Sequence, residues 1–152
     1  MSDYRELIER VTVYRQRVDR RLTQALRDCG KEATADMRSN VPVDTGNLKR
    51  SIRYRVVRTA EGPQLRIYAN ATSFDSKSGS SVKYAEFVEY GTGIYNQHGD
   101  GRQIPWVVNA VVHGVERTWT TRGNVAQPFI RPAMAKFRAR FRKMRPYVLE
   151  EG

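Results

Sequence analysis

The chain has a single cysteine, Cys29, and only two histidines, His98 and His113. One cysteine excludes an internal disulfide, and at a helical apolar position it reads as a small core residue. Neither histidine has a ligand partner at helical spacing, so no metal site is expected. His98 stands two residues from Asp100 in a Gly-rich stretch, where a loop histidine is the default reading and a metal-dependent hydrolase the remote one. No apolar run approaches the roughly 20 residues that cross a bilayer, so no membrane partner is expected. The opening MSDYRELIER lacks the apolar core of a signal peptide, which points to synthesis in a cytoplasm. No serine has a nucleophile-elbow context. Gly91-Thr92-Gly93 lacks the lysine and the helix of a P-loop. Glu86 and Glu89 are spaced i, i+3, but no pocket is announced around them for acid–base work. These absences argue against an enzyme: no catalytic residue and no cofactor are expected.

What the chain has in excess is positive charge. Lys and Arg number 27 against 16 Asp and Glu, a net +11 with a pI near 10.2. Such a surplus favours contact with nucleic acid or with the acidic surface of a partner, and it also serves simple solubility. At 152 residues the chain suits one domain, 1–152, with a genuine core.

The charge concentrates in QPFIRPAMAKFRARFRKMR, residues 127 to 145. Phe129, Ile130, Ala133, Met134, Phe137, Phe141 and Met144 keep the spacing of one helical face. Arg131, Lys136, Arg138, Arg140, Arg142, Lys143 and Arg145 fill the others, with no acidic residue among them. Arg138, Arg140, Arg142 and Lys143, interleaved with Phe137 and Phe141, are the candidates to face DNA or another polyanion without reading bases. The plain alternative is that cations complement a helix C-terminus and cover apolar surface with their stems. Pro132 in the first turn is expected to fix the helix start.

A second helical repeat runs from residue 4 to 39 through Leu7, Ile8, Val11, Tyr14, Val18, Leu22, Ala25, Leu26, Cys29, Ala33 and Met37. Gly30 falls inside it and invites a bend. Val41-Pro42 ends it. PVDTG then makes a turn, with Gly46 suited to positive φ. LKRSIRYRVVR alternates as a strand, Glu61-Gly62-Pro63 turns, and QLRIYAN returns to form a hairpin. TSFDSKSGSS, 72 to 81, reads as a mobile Ser-rich loop. VKYAEFVEYGTG fits a short helix or a strand, and residues 94 to 103 read as a loose polar loop. Ile104 to Val112 and Thr118 to Thr121 suit strands, with His113-Gly114 as their turn. The expected fold is α+β: an antiparallel sheet of about four strands, packed by a long N-terminal helix and a basic C-terminal helix.

Three segments, VPVDTGNLKRSI (41 to 52), YAEFVEYGTG (84 to 93) and QPFIRPAM (127 to 134), occur in an order and at separations that resemble a known family. They are similar to the neck and tail-completion proteins of long-tailed bacteriophages, small tail components encoded between the head–tail connector genes and the major tail protein. The lambda minor tail protein Z is a relative. The resemblance runs from about residue 5 to 145. GTGIYNQHGDGRQIPW also looks like a loop insertion of one branch, whereas the loop at 72 to 81 is longer and more polar than the family's usual spacing. Pro42, Asp44, Thr45, Gly46 and Leu48 match the first motif. Tyr84, Ala85, Glu89, Gly91 and Thr92 match the second, and Gln127, Pro128, Phe129, Arg131, Pro132 and Ala133 the third. The resemblance implies that these set the fold and the subunit interface. It further implies a structural virion protein of the head–tail junction, a homo-oligomeric ring of six subunits that joins the tail tube to the capsid connector. Its partners would be the connector, the tail terminator or tail tube proteins, and packaged DNA touched without sequence preference. A tail terminator capping the tube, and a free sequence-independent nucleic-acid-binding protein, are the alternatives.

Overall fold

A computed structural model describes residues 2–42, 46–75, 80–112 and 114–150. Asp44 and Thr45 of the first motif, and His113, lie outside the described residues. The long apolar repeat forms one unbroken helix, α1, Ser2–Asn40. Gly30 does not bend it. Gly30 is buried, and a Cβ there would sit 2.6 Å from the Tyr54 ring and 2.7 Å from Leu65 Cδ1. The residue is glycine because a ribbon crosses the helix at that point, a reason invisible in local propensity.

After α1 the chain turns through Gly46, whose φ of 73° is the left-handed value expected for it. The next turn is helical. α2, Asn47–Ser51, is closed by Arg50 N–H donating to the Gly46 carbonyl at 3.0 Å. The first strand therefore begins at Ile52, not at Leu48. β1, Ile52–Thr59, pairs antiparallel with β2, Gly62–Ala69, from Ile52↔Ala69 to Thr59↔Gly62. The turn between them is Ala60-Glu61, so Pro63 falls within β2. From Ile52 to Val56 exposed Arg53 and Arg55 alternate with less exposed neighbours, the alternation of a half-covered strand.

The stretch 72 to 81 is not simply a loop. β3, Thr72–Asp75, pairs with β4, Ser80–Lys83, in register from Thr72↔Lys83 to Asp75↔Ser80. Serine richness hid Thr72, Phe74 and Val82, which favour strand at alternate positions. Then come α3, Ala85–Tyr90, a 3-10 turn at Gly93–Tyr95, β5, Trp106–Val112, β6, Val115–Thr121, and α4, Ile130–Leu149. β5 and β6 pair antiparallel from Trp106↔Thr121 to Val112↔Val115. The α+β class holds, with the two expected helices. The single four-stranded sheet does not: the strands form separate two-stranded ribbons. Alternation marks a strand but carries no information about which edge it joins, and among the described residues each strand pairs only with its sequence neighbour.

α4 runs antiparallel to α1. Lys136 Nζ lies 3.5 Å from Asp36 Oδ2, Arg140 pairs with Glu32, and Cys29 Sγ lies 3.5 Å from Met144 Sδ. Near the far end of α4, the Tyr14 hydroxyl donates to the Leu149 carbonyl at 3.0 Å. The β1–β2 ribbon also packs on α1. The main core gathers Met37 and Val41 from the end of α1, Leu48, Ile52, Ala71, Ala85, Phe129 and Ala133. Its members come from all three sequence motifs, which lie far apart in the chain and meet here.

Candidate functional site: a carboxylate clasp between two motifs

α3 is too short to hold itself; burial and tethering keep it in place. Of its two glutamates, Glu86 is exposed and Glu89 is 1% exposed. They do not form an acid–base pair. Glu89 follows Ala85 by one helical turn, so both face inward. Gly91 ends the helix with φ 80°, and a Cβ there would lie 2.7 to 2.9 Å from backbone atoms of Tyr95, Asn124 and Ala126. Only glycine allows these segments to close so tightly.

The Glu89 carboxylate reaches the N-terminus of α4. Its Oε2 accepts from the N–H groups of Phe129 at 2.7 Å and Ile130 at 2.8 Å. Its Oε1 accepts from the Arg131 N–H at 3.0 Å and from Arg131 Nε at 2.9 Å. A helix start leaves its first N–H groups without intrahelical partners and carries partial positive charge. Here one internal anion takes three of them, and the next residue, Pro132, has no N–H to satisfy. Pro132 thus suits the start, as expected, while Glu89 supplies the cap that the sequence did not reveal. Burial by itself pushes the Glu89 carboxyl up, but the three backbone donors and the Arg131 guanidinium outweigh it and hold it below the ordinary carboxylate range.

Arg131 extends the clasp. Its Nη2 donates to the Glu89 carbonyl at 3.1 Å and to Gln97 Oε1 at 2.7 Å, and its guanidinium lies over the Tyr90 ring, 4.9 Å from the centroid. Tyr90 in turn packs on the His98 ring at 4.2 Å. Backbone bonds close the seam. Gln127 N–H donates to the Val88 carbonyl at 2.8 Å, Thr92 N–H to the Asn124 carbonyl at 2.9 Å, and Asn124 N–H to Thr92 Oγ1 at 2.9 Å. Residues 94 to 103 are correspondingly tied rather than loose: Ile94 N–H donates to the Arg122 carbonyl and Gln97 N–H to the Tyr90 carbonyl, each at 3.0 Å.

Chemically, Glu89 has four donors on two oxygens and so is committed to holding two segments together. His98 serves as a ring surface for Tyr90. Burial pushes the Cys29 thiol up, against a lesser pull from Arg140, as befits an inert core residue. Among the described residues, no group of three or more His, Cys, Asp or Glu is placed to hold a metal ion, and no helix is long and apolar enough to cross a membrane.

A sequence profile of the family described as "Bacteriophage HK97-gp10, putative tail-component" matches residues 5–91, more than half of the chain. The chain belongs to this HK97-gp10-like family of phage tail components. No curated protein and no solved structure matches it significantly. The family match begins in α1, passes through the first motif and the β1–β2 ribbon, and stops at Gly91. The third motif lies beyond it in sequence yet is bonded to its last helix through Glu89. Tyr84, Ala85, Glu89, Gly91, Thr92, Gln127, Phe129, Arg131, Pro132 and Ala133 thus form one seam, while Pro42 and Leu48 stand at the first motif's turn, with Leu48 in the core below it. Gln127 acts through its backbone, and Pro128 is exposed.

The four candidate polyanion-facing residues separate. All four are exposed, but Arg140 turns to Glu32 on α1 and pairs with it. Sequence reasoning missed the roles of Tyr90 and Gln97. No local signal pointed to them, because both roles arise from contacts with Arg131, far along the chain.

Proposed function

We propose that this HK97-gp10-like chain is a structural virion protein of the head–tail junction, without catalytic activity of its own. It is one subunit of a ring of six copies, made in the host cytoplasm and carried in the virion. It joins the tail tube to the capsid connector, and its partners are the connector and the terminator or tube proteins. The family match carries this reading. The clasp supports it, because the most buried charge among the described residues is spent on rigidity and not on a reacting group. The motif residues then act as determinants of fold and subunit surface.

Electron microscopy of particles assembled without this protein tests the assignment. Tails of normal length that fail to join heads are expected. Over-long tails would move the protein to the terminator layer, and normal joined virions would refute a junction role.

The exposed Arg138, Arg142 and Lys143 favour a second, compatible reading in which the α4 face touches packaged DNA through its phosphates. Changing all three to Ala should weaken binding of the protein to duplex DNA and flatten its salt dependence by about one unit of slope per lost phosphate contact. An unchanged salt slope would remove that contact from the proposal.

A further inference from the structure

The two faces of the β1–β2 ribbon treat arginine differently. The face turned to α1 holds Ile52 in the core, Tyr54 and Leu65 against Gly30, and Arg58 Nη2 3.7 Å from Asp19 Oδ2. Its one arginine is therefore paired. The opposite face carries Arg53 and Arg55 from β1 and Arg66 from β2, all exposed. Among the described residues none of the three has a carboxylate partner. Glu61, in the turn, is the one acidic residue between Ile52 and Ala69.

Register makes this arrangement costly. Arg55 stands directly opposite Arg66, and Arg53 lies two residues from Arg55 on the same strand, about 7 Å away. Directly opposed residues have their Cα atoms only about 5 Å apart, and like charges there destabilise a ribbon. Solubility needs net charge, not like charges set face to face. The face is also preset. Arg55 Nε donates to the Tyr68 hydroxyl, and the guanidinium lies over that ring, 5.2 Å from its centroid. Its two Nη groups keep their donors for a partner. A depression of about 490 Å³ opens beside them, lined by Ser51, Arg53, Arg55, Tyr68 and Asn70.

The chemistry of the face selects an occupant. Three unpaired guanidiniums call for anions. An acidic protein partner would need an apolar centre to dock on, because charge is depleted at the core of protein interfaces. Val57 is the one aliphatic side chain on this face. Interfaces with nucleic acid are more polar and far more positive. A single strand binds by stacking its bases on aromatic rings. Tyr68 is the face's one aromatic ring, and Arg55 lies over it. That leaves the phosphates of a duplex, which guanidinium forks grip without reading sequence.

We infer that the outer face of the β1–β2 ribbon, through Arg53, Arg55 and Arg66, is a binding surface for the phosphate backbone of duplex DNA. Bound phosphates neutralise the repulsion between Arg55 and Arg66 that the free chain carries. The inference rests on the reading above in which this chain touches packaged DNA, and it assigns that contact a surface on a different element from α4.

The test uses the full chain and a duplex of arbitrary sequence, with binding followed by fluorescence anisotropy across a salt series. Changing Arg53, Arg55 and Arg66 together to Gln should lower the salt slope by about 2.7 units and the affinity at about 0.1 M salt roughly a hundredfold. Changing Arg5, Arg10 and Arg15 to Gln removes the same charge from exposed positions on α1 and should leave the slope unchanged. An equal fall in both variants would tie binding to net charge and overturn the assignment to this face. Arg66→Glu gives a second readout. It makes the opposed pair attractive, so the thermal midpoint of the free chain should rise by about 1 to 3 °C while duplex binding falls. A lowered midpoint would mean that there was no repulsion for a phosphate to relieve, and would overturn the argument. Binding kept in the ribbon variant but lost when Arg138, Arg142 and Lys143 become Ala would overturn the ribbon face and leave the contact on α4. Single-stranded DNA held more tightly than duplex would overturn the duplex as occupant. A wild type without affinity for DNA would overturn both surfaces.

Discussion

The six-residue α3, clasped to the start of α4, and the seven-residue strands of the β5–β6 ribbon are similarly short, yet they end in opposite states. At the clasp, the Glu89 carboxylate is matched by four donors, the close backbone approach that Gly91 permits tightens the seam, and Phe129 is fully buried beneath it. On the ribbon, Val107, Val111, Val115 and Trp119 stay in water although the strands pair fully. Backbone pairing alone therefore does not finish a piece of structure. The clasp was finished by bringing together segments about 40 residues apart; the ribbon has no such cover among the described residues.

The contrast can be broken most sharply at the clasp. Glu89→Ala leaves three backbone N–H groups, one buried and two part-buried, and a guanidinium without their carboxylate acceptor. It should cost about 3 to 5 kcal/mol in chemical denaturation, the range seen when one member of a buried charged pair is removed. Phe129→Ala opens the core beneath the same seam and should cost a similar ~3 to 5 kcal/mol. Either variant losing under ~1 kcal/mol would mean that the seam does not hold the fold.

A smaller effect is expected where α1 meets the β1–β2 ribbon. Gly30→Ala gains helix propensity of about 1 kcal/mol but drives a methyl into Tyr54 and Leu65. Overpacking of that kind costs about 1 to 3 kcal/mol, so the net should be a loss, read as a lowered thermal midpoint. A raised midpoint would show that the ring and the leucine yield freely.

Acid should sharpen the comparison. The folded-state pKa of Glu89 is depressed below its ordinary 4.5, so its stabilising contribution is present above pH 4.5 and is lost as pH falls through the depressed value. Denaturation midpoints followed downward from pH 5 should therefore drop more steeply in wild type than in Glu89→Gln. Parallel curves would remove Glu89 from the acid response.

The smallest effect belongs to the uncovered surfaces. Val111→Thr on the ribbon should change the stability of the isolated chain by no more than about 0.5 kcal/mol, since it removes no buried contact. A loss several times larger would show that the ribbon is already packed within its own chain.

Long-range periodicity made the two helices legible. Leu7 to Met37 and Ile130 to Met144 each kept one stripe over many turns, and no turn chemistry interrupted them. The hairpins at 52–69 and 106–121 were legible from β-branched runs around short turns. The strand start at Ile52 was not, because Leu48 alternates with Ile52 equally well as helix or strand. The β3–β4 ribbon was hidden by its serines. At the site, the second and third motifs hold residues that meet in space, but nothing local distinguished Glu86 from Glu89, since two carboxylates one turn apart look equally solvated until one is buried.

By its own letters the chain determined its helices, most of its strand pairs, its excess of positive charge and its membership of a tail-component family, because all of these depend on near neighbours or on ordered spacing. Only the tertiary structure decided that the strands stay in separate ribbons, that Glu89 and not Glu86 turns inward to hold α4, that Gly30 exists for a neighbour to cross, and that Arg140 is spent on Glu32. Each of those depends on which distant groups come within a few ångströms, and burial and hydrogen bonding assign their energies only once that meeting has happened.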